Sequence, residues 1–389
     1  MANVRRTGPV FLRHVPDDSH LFRPLPHPTG VYPYRLNIRD VLRSRDERLA
    51  EGMSFHMIGD TGSVRHSAFQ SLIASAMTQQ AHNDGPACER PAFLFHLGDI
   101  VYNHGEAREY AKQFFVPYED YPGPIFAIAG NHDGDVNPGS DLLYQSLDAF
   151  MDVFCDTYPR KVIFGNGSKR LSMVQPNVYW ALETPLAHFI GLYANVMKHG
   201  AITAEQQDWF VEELRYSNSL RPDKAVIVCL HHAPYSADTN HGSSPAMIAF
   251  LEHAFKLAGV RPDIVFSGHV HNYQRFTKSY EDGSVLPYIV AGAGGYADLH
   301  PIAPLGDVRV EDGHPAIHQV RLENYCDDRY GFLKISVKKL EEGLQLVGEY
   351  YTLAQEAISL EKPEATLFER FVVPFHSAVT AGASRASVN

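Results

Sequence analysis

Five short apolar runs, each ending in a polar cluster, constrain this chain more than any other feature of its sequence. They are Met53 to Asp60, Ala92 to Asp99, Ile125 to Gly130, Ala225 to His231 and Asp263 to His269. Each run is too short for a helix, is closed by Gly, Asp or His, and is followed by text of a different period, which predicts a strand leading into a loop or helix. Helical spacing is clearest over 67–80, 142–153, 203–214 and 245–257, where apolar residues recur every three or four positions. Thr203 followed by Gln206 adds a capping box to the third of these. In open α/β sheets, ligands collect beyond the carboxyl ends of strands, so five polar signatures at five strand ends are expected to converge on one crevice.

Between the first three runs and the last two lie Asn177 to Thr184 and Ala187 to Tyr193, which read as strands beginning a second sheet. Gln274 to Tyr280, Pro287 to Ala291, Gly331 to Leu340 and Leu344 to Tyr351 are expected to extend it. Two sheets with helices outside follow. Residues 1–50, rich in Pro, Arg and His without periodicity, read as an arm lying on the domain of 51–375. Residues 296–330 read as a long loop and 376–389 as a flexible tail.

Composition narrows the partners. With 389 residues and 44% hydrophobic content the chain can bury a core and is not disordered overall. A formal charge of −11, with both signs interspersed, argues against nucleic acid or an acidic membrane surface as the main partner. A phosphorylated small molecule would then need a strong local positive site. No apolar run reaches the roughly 18 residues of a membrane span, and no secretory apolar core follows Arg5 and Arg6. Cys88, Cys155, Cys229 and Cys326 are few and scattered, which suits a reducing, cytoplasmic compartment; a secreted or periplasmic place would require a removed leader. Oligomeric state is not written in the sequence.

The polar clusters are Gly59-Asp60-Thr61-Gly62, Gly98-Asp99 with Tyr102, Gly130-Asn131-His132-Asp133, His231, and Gly268-His269-Val270-His271. Singly, each is an ordinary turn or a structural histidine. Together they supply what two cations about 3.5–4 Å apart require: a carboxylate to bridge them, terminal oxygen and nitrogen donors, and positions left open. The chain lacks the closed Cys-rich spacing of a structural zinc protein.

In this order, the five clusters resemble the calcineurin-like metallophosphoesterase superfamily. The Asp-x-Gly first motif, the Gly-Asp-x-x-Tyr second motif and His269-Val270-His271 followed by Asn272, Tyr273, Gln274 and Arg275 are similar to its purple acid phosphatase branch. The resemblance implies a four-layer αββα sandwich of two mixed sheets flanked by helices. It also implies hydrolysis of phosphate monoesters by a hydroxide held between two metal ions. By motif, the first ion falls to Asp60, Asp99, Tyr102 and His271, with Asp99 bridging, and the second to Asn131, His231 and His269. A phenolate favours a trivalent ion, so Tyr102 points to Fe(III) at the first position, with Fe(II), Zn or Mn at the second. His132 is expected to hydrogen-bond the phosphoryl group, and His241 to contact substrate or protonate the leaving alkoxide.

A phosphodiesterase acting on cyclic nucleotides or lipid headgroups could use the same centre, and a non-catalytic scaffold could keep the same fold. The second is disfavoured because Asp60, Asp99, Asn131, His132, His231, His269 and His271 are all present. Asn103, His104 and His232 sit beside the motifs and read as surface or supporting residues. Gly292 to Gly295 reads as a tight turn, and nothing in the sequence places His300, His314 or His318.

Overall fold

A computed structural model describes residues 6–15, 17–42, 49–65, 68–83, 85–86, 88–311, 314–354 and 364–375; the expected tail 376–389 and the expected helix start at Ser67 lie outside them. The first sheet has six strands in the order β16 (Thr366–Pro374), β15 (Gly343–Thr352), β14 (Gly331–Leu340), β3 (Gly52–Ile58), β4 (Pro91–His96) and β5 (Ile125–Ala127). The second has eight: β13 (Val320–Cys326), β10 (Tyr273–Ser279), β11 (Val285–Ala291), β9 (Ile264–Ser267), β8 (Ala225–Leu230), β7 (Ala187–Leu192), β6 (Trp180–Glu183) and β2 (Arg35–Asn37). A ribbon of β1 (Phe11–Leu12) and β12 (Val310–Glu311) lies apart from both.

Both sheets are mixed. β3, β4 and β5 run parallel, as do β7, β8, β9 and β11, while the outer pairs β14–β15–β16 and β11–β10–β13 are antiparallel. The parallel strands are buried on both faces, which is why they read as continuous apolar runs rather than alternating ones. Phe189 of β7 stands between the sheets with its ring 5.1 Å from Phe55, 5.9 Å from Phe93 and 5.5 Å from Phe95. Outside, the helix Ala68–His82 covers the six-stranded sheet; Ala204–Ser219 packs on β7 and against Pro245–Ala258. The result is the αββα sandwich.

Local signals set three helix ends, Thr203 as the sequence implied, although its helix runs on to Ser219, past the expected Leu214. Thr203 Oγ1 accepts the Gln206 N–H at 3.2 Å, Ser244 Oγ accepts that of Met247 at 3.1 Å, and Gly259 closes its helix at φ 68°.

Four expectations need correction. Gly331–Leu340 and Gly343–Thr352 join the first sheet, β14 pairing with β3, and do not extend the second. The helix expected from Leu142 begins only at Asp148, after Leu147 at φ 68°; Leu142 and Leu143 are exposed, so their spacing marks no core stripe. Residues 1–50 hold an edge strand, β2, parallel to β6, and are not merely an arm lying on the domain. The stretch 296–330 is not one loop: it carries β12 and β13, and β13 closes the second sheet beside β10.

Candidate metal centre

The carboxyl ends of the parallel strands of both sheets meet, and the meeting is built from backbone. Gly59 N–H donates to Ala291 O across the sheets at 2.8 Å, Asp60 N–H to Gly98 O at 3.0 Å, and Gly268 N–H to His231 O at 3.0 Å. Asp60, Asp99 and His269 hold φ of 58°, 54° and 68°, a left-handed conformation that costs about 1–3 kcal/mol for a residue with a side chain. The turn swings each side chain inward from its strand end. Gly98 permits the approach, since a Cβ there would lie 2.5 Å from Gly130 N and 2.8 Å from His231 Nδ1.

Two groups of donor atoms result. In one, Tyr102 Oη donates to Asp99 Oδ2 at 2.8 Å and Asp60 Oδ1 at 3.2 Å. His271 Nε2 lies 3.2 Å from the phenol oxygen and 3.6 Å from Asp60 Oδ1. In the other, Asn131 Oδ1 is 3.1 Å from His231 Nε2 and 3.0 Å from His269 Nδ1, and His231 Nε2 is 3.3 Å from Asp99 Oδ2. Asp99 Oδ2 belongs to both. The donor atoms of Asp99, His231 and His269 all fall within 4.8 Å of one another, a grouping that could hold a metal ion.

The electrostatics also call for a cation. Asp60 and Asp99 are fully buried, yet among the described residues neither pairs with a lysine or arginine. Isolated buried carboxylates are too costly to persist charged without compensation. Burial and the neighbouring Asp99 push Asp60 well above the usual carboxylate range despite the pull of His231. Burial works against Asp99 too, but His231, His132 and the N–H of His132 hold it low. His231 is raised to about 9, burial opposing and the carboxylates of Asp99 and Asp60 prevailing. Burial, then Asp99 and Asp60, raises Tyr102 well above its usual value, so without a cation it stays a phenol. Burial and adjacent imidazoles keep His269 and His271 well below the usual histidine range, leaving both neutral with lone pairs to offer.

The far nitrogens are fixed by carbonyls, which sets each tautomer: His231 Nδ1 to Leu97 O at 2.8 Å, His271 Nδ1 to Asp298 O at 3.0 Å, His269 Nε2 to Lys198 O at 3.2 Å. His132 donates its backbone N–H to Asp99 Oδ1 at 2.9 Å and its Nδ1 to Asn103 O at 2.6 Å, with its ring 4.4 Å from that of Tyr102. His241 reaches the same pocket, its ring 4.1 Å from that of His269 and its buried Nδ1 without a hydrogen-bond partner among the described residues. Every residue singled out from the five clusters, and His241, thus comes together.

Of the neighbours, His232 packs its ring 4.4 Å from that of His269, beneath the site, and His104 pairs with Asp135 at 2.9 Å. Gly292 to Gly295 is the turn that seats Asp60, whose carbonyl accepts the Tyr296 N–H at 3.1 Å. His300 lines the pocket, whereas the His314 ring packs tilted against Phe11 at 4.2 Å, away from it.

Sequence reasoning missed two supports. Asp133 takes the N–H groups of Gly130 at 2.8 Å, Ile100 at 3.0 Å and Val101 at 3.2 Å, tying the second and third motifs together. Its place in Gly-Asn-His-Asp was the available signal. Gln113 clamps Tyr102, accepting its N–H at 2.9 Å and donating to its carbonyl at 2.7 Å. It lies in a π-helical turn, Ala111–Phe115, a distortion that recurs at functional sites and has no mark in the sequence.

Known proteins resemble this chain over part of its length. Purple acid phosphatase 1 of Ipomoea batatas is 27% identical over 267 residues, covering 63% of this chain and 50% of that protein. Purple acid phosphatase 21 of Arabidopsis thaliana is 29% identical over 150 residues, covering 36% and 33%. The chain therefore spans half or less of the length of these relatives. A solved structure described as "GAP50 the anchor in the inner membrane complex of Plasmodium" shares the fold with a TM-score of 0.54 at 15% identity, over 84% of this chain and 90% of that one. No helix among the described residues is long and apolar enough to cross a membrane. The profile of the calcineurin-like phosphoesterases matches residues 53–273, more than half the chain and the whole span that carries the strand-end donors; the chain belongs to that family.

Proposed function

We propose that this chain hydrolyses phosphate monoesters, in the manner of an acid phosphatase, at a centre of two metal ions. The observation that carries the reading is the pair of donor groups sharing Asp99 Oδ2, with spacings of about 3 Å. Atoms bonded at right angles to one ion at 2.0–2.1 Å stand about 3 Å apart. Asp60, Asp99, Tyr102 and His271 would hold one ion and Asn131, His231 and His269 the other, Asp99 belonging to both. The pair of cations, when bound, would supply a nucleophilic hydroxide and offset charge on the phosphoryl oxygens. Tyr102 is the reason to expect Fe(III) at the first position, with Fe(II), Zn or Mn at the second.

The chain's own groups supply orientation. The Asn103 carbonyl holds the His132 ring by Nδ1, which leaves Nε2 as the ring nitrogen that would meet a phosphoryl oxygen. His241 stands across the pocket on the side of His269, where it can touch the substrate or give a proton to the departing alkoxide. The phenol, the carboxylates and the imidazoles are nearly all buried, which strengthens every interaction with a developing charge.

The test is elemental analysis and a visible absorption spectrum of the purified chain, with turnover of an aryl phosphate monoester and of a diester. About two metals including iron, a phenolate-to-ferric band and monoester turnover are expected. Two zinc or manganese ions without colour would remove the ferric assignment. Preference for the diester would replace the monoesterase by a phosphodiesterase. No metal and no turnover after reconstitution would leave a scaffold.

A further inference from the structure

His300 lies 29 residues beyond His271, in a stretch that carries no motif. It is nevertheless fixed at the mouth of the pocket from several sides. Its N–H donates to His271 O at 3.0 Å, its carbonyl accepts Asn272 Nδ2 at 2.7 Å, and its ring stacks on that of His271 at 4.2 Å and 23°. A backbone bridge between Asp238 and Ile302, continued by Ala303 N–H to Ala237 O at 2.8 Å, stitches the following residues to the loop of His241.

One buried carboxylate stands beside both rings. Asp238 accepts the N–H groups of Asn240 at 2.9 Å, His241 at 3.2 Å and Gly242 at 2.9 Å, which forms the turn that presents His241. Its Oδ2 also stands 3.5 Å from His300 Nδ1. The two rings lie 5.0 Å apart. The tautomer of His300 follows from the backbone: the His271 N–H points at Nδ1 from 3.4 Å, so the neutral ring keeps its proton on Nε2. That nitrogen is on the ring edge remote from Asp238.

We propose that His300 is a substrate-binding residue, donating from Nε2 to a phosphoryl oxygen beside His241. The competing role, a support for His271, uses the stacked face and the Nδ1 that meets the His271 N–H, but not Nε2. The proposal rests on the reading of this pocket as a phosphate ester site, and deepens it by adding a third imidazole, after His132 and His241, contributed by a different segment. Besides the groups proposed to hold the ions, the pocket is lined by these three rings with Asn240, Tyr296 and Asp298 and, among the described residues, by no lysine or arginine, so imidazole and amide groups are what it offers a phosphoryl group.

The test measures metal content and the affinity of the metal-loaded chain for inorganic phosphate by calorimetry, in the wild type, His300→Phe and His300→Gln. Phenylalanine keeps the stack and removes the donor; glutamine can donate. The expected result is unchanged metal in both, phosphate affinity about tenfold weaker or more in His300→Phe, and most of it regained in His300→Gln. Wild-type affinity in His300→Phe overturns the proposal, as does loss of metal from that variant, which assigns the ring to support. If His300→Phe does not fold, His300→Leu against His300→Gln gives the same contrast, and equal affinities refute it. Because binding is read without turnover, a chain that holds metal and phosphate but cleaves no ester refutes the hydrolase and leaves the role of His300 standing.

Discussion

Replacing Gln113 by leucine tests how a side chain that never touches the pocket governs one that does. Gln113 is fully buried and is the partner of both the N–H and the carbonyl of Tyr102. Leucine has nearly the same volume, so the packing term is small, but the two backbone groups are left buried and unpaired at about 1–3 kcal/mol each, about 2–6 kcal/mol in all. Glu109 Oε2 also loses its 2.9 Å bond from Gln113 Nε2, though it is partly exposed and can turn to water. Urea unfolding of the chelator-treated protein should therefore show a loss of at least about 2 kcal/mol, without any contribution from metal. In the metal-loaded protein the phenolate band should shift or broaden, because the backbone that aims the phenol at Asp99 and Asp60 is no longer held. Destabilisation below about 0.5 kcal/mol with an unaltered band would refute the clamp.

Three further outcomes are expected. Asp99→Asn should remove metal and nearly all turnover, whereas His132→Ala should keep its metal and lose roughly 100- to 1,000-fold in kcat; metal analysis beside steady-state kinetics separates them, and full activity in either refutes the role concerned. At the far edge of the second sheet, Glu213 receives Arg35 at 2.9 Å and His188 at 2.6 Å. Burial raises its pKa, but those two partners outweigh burial and hold it below the usual value of 4.5. Its contribution to stability is thus complete above about pH 4.5 and is lost as pH falls through the lower folded value. Glu213→Gln should flatten the stability profile in that acid window, and an unchanged slope would sink the idea.

The candidate site was legible because its information is local. Asp60, Asp99, Asn131, His231 and His269 each lie just beyond the end of a buried strand, and the glycines at positions 59, 98, 130 and 268 mark turns that only a close approach explains. What lay outside those turns was not legible. Asp133 shows no role in its motif, because a carboxylate that binds three backbone N–H groups looks like any aspartate until the loops it joins are in place. Gln113 and His300 carry no pattern at all, since their partners stand 11 and 29 residues away.

By itself, then, the sequence determined strand ends, the Thr203 helix cap and the candidate donor residues, all of which depend on residues a few positions apart. Only the tertiary structure decided which sheet each strand joined. Gly331–Leu340 has the composition of a strand in either sheet, and its place beside β3 comes from a pairing across nearly 280 residues that no local period records. Likewise Arg35–Asn37 is too short to show alternation, and it becomes a strand only because β6 leaves an open edge beside it and Glu213 holds Arg35 there. Hydrogen bonding and burial across such separations are settled by the packing of the whole sandwich, and the convergence of the five strand ends on one pocket is a product of that same packing.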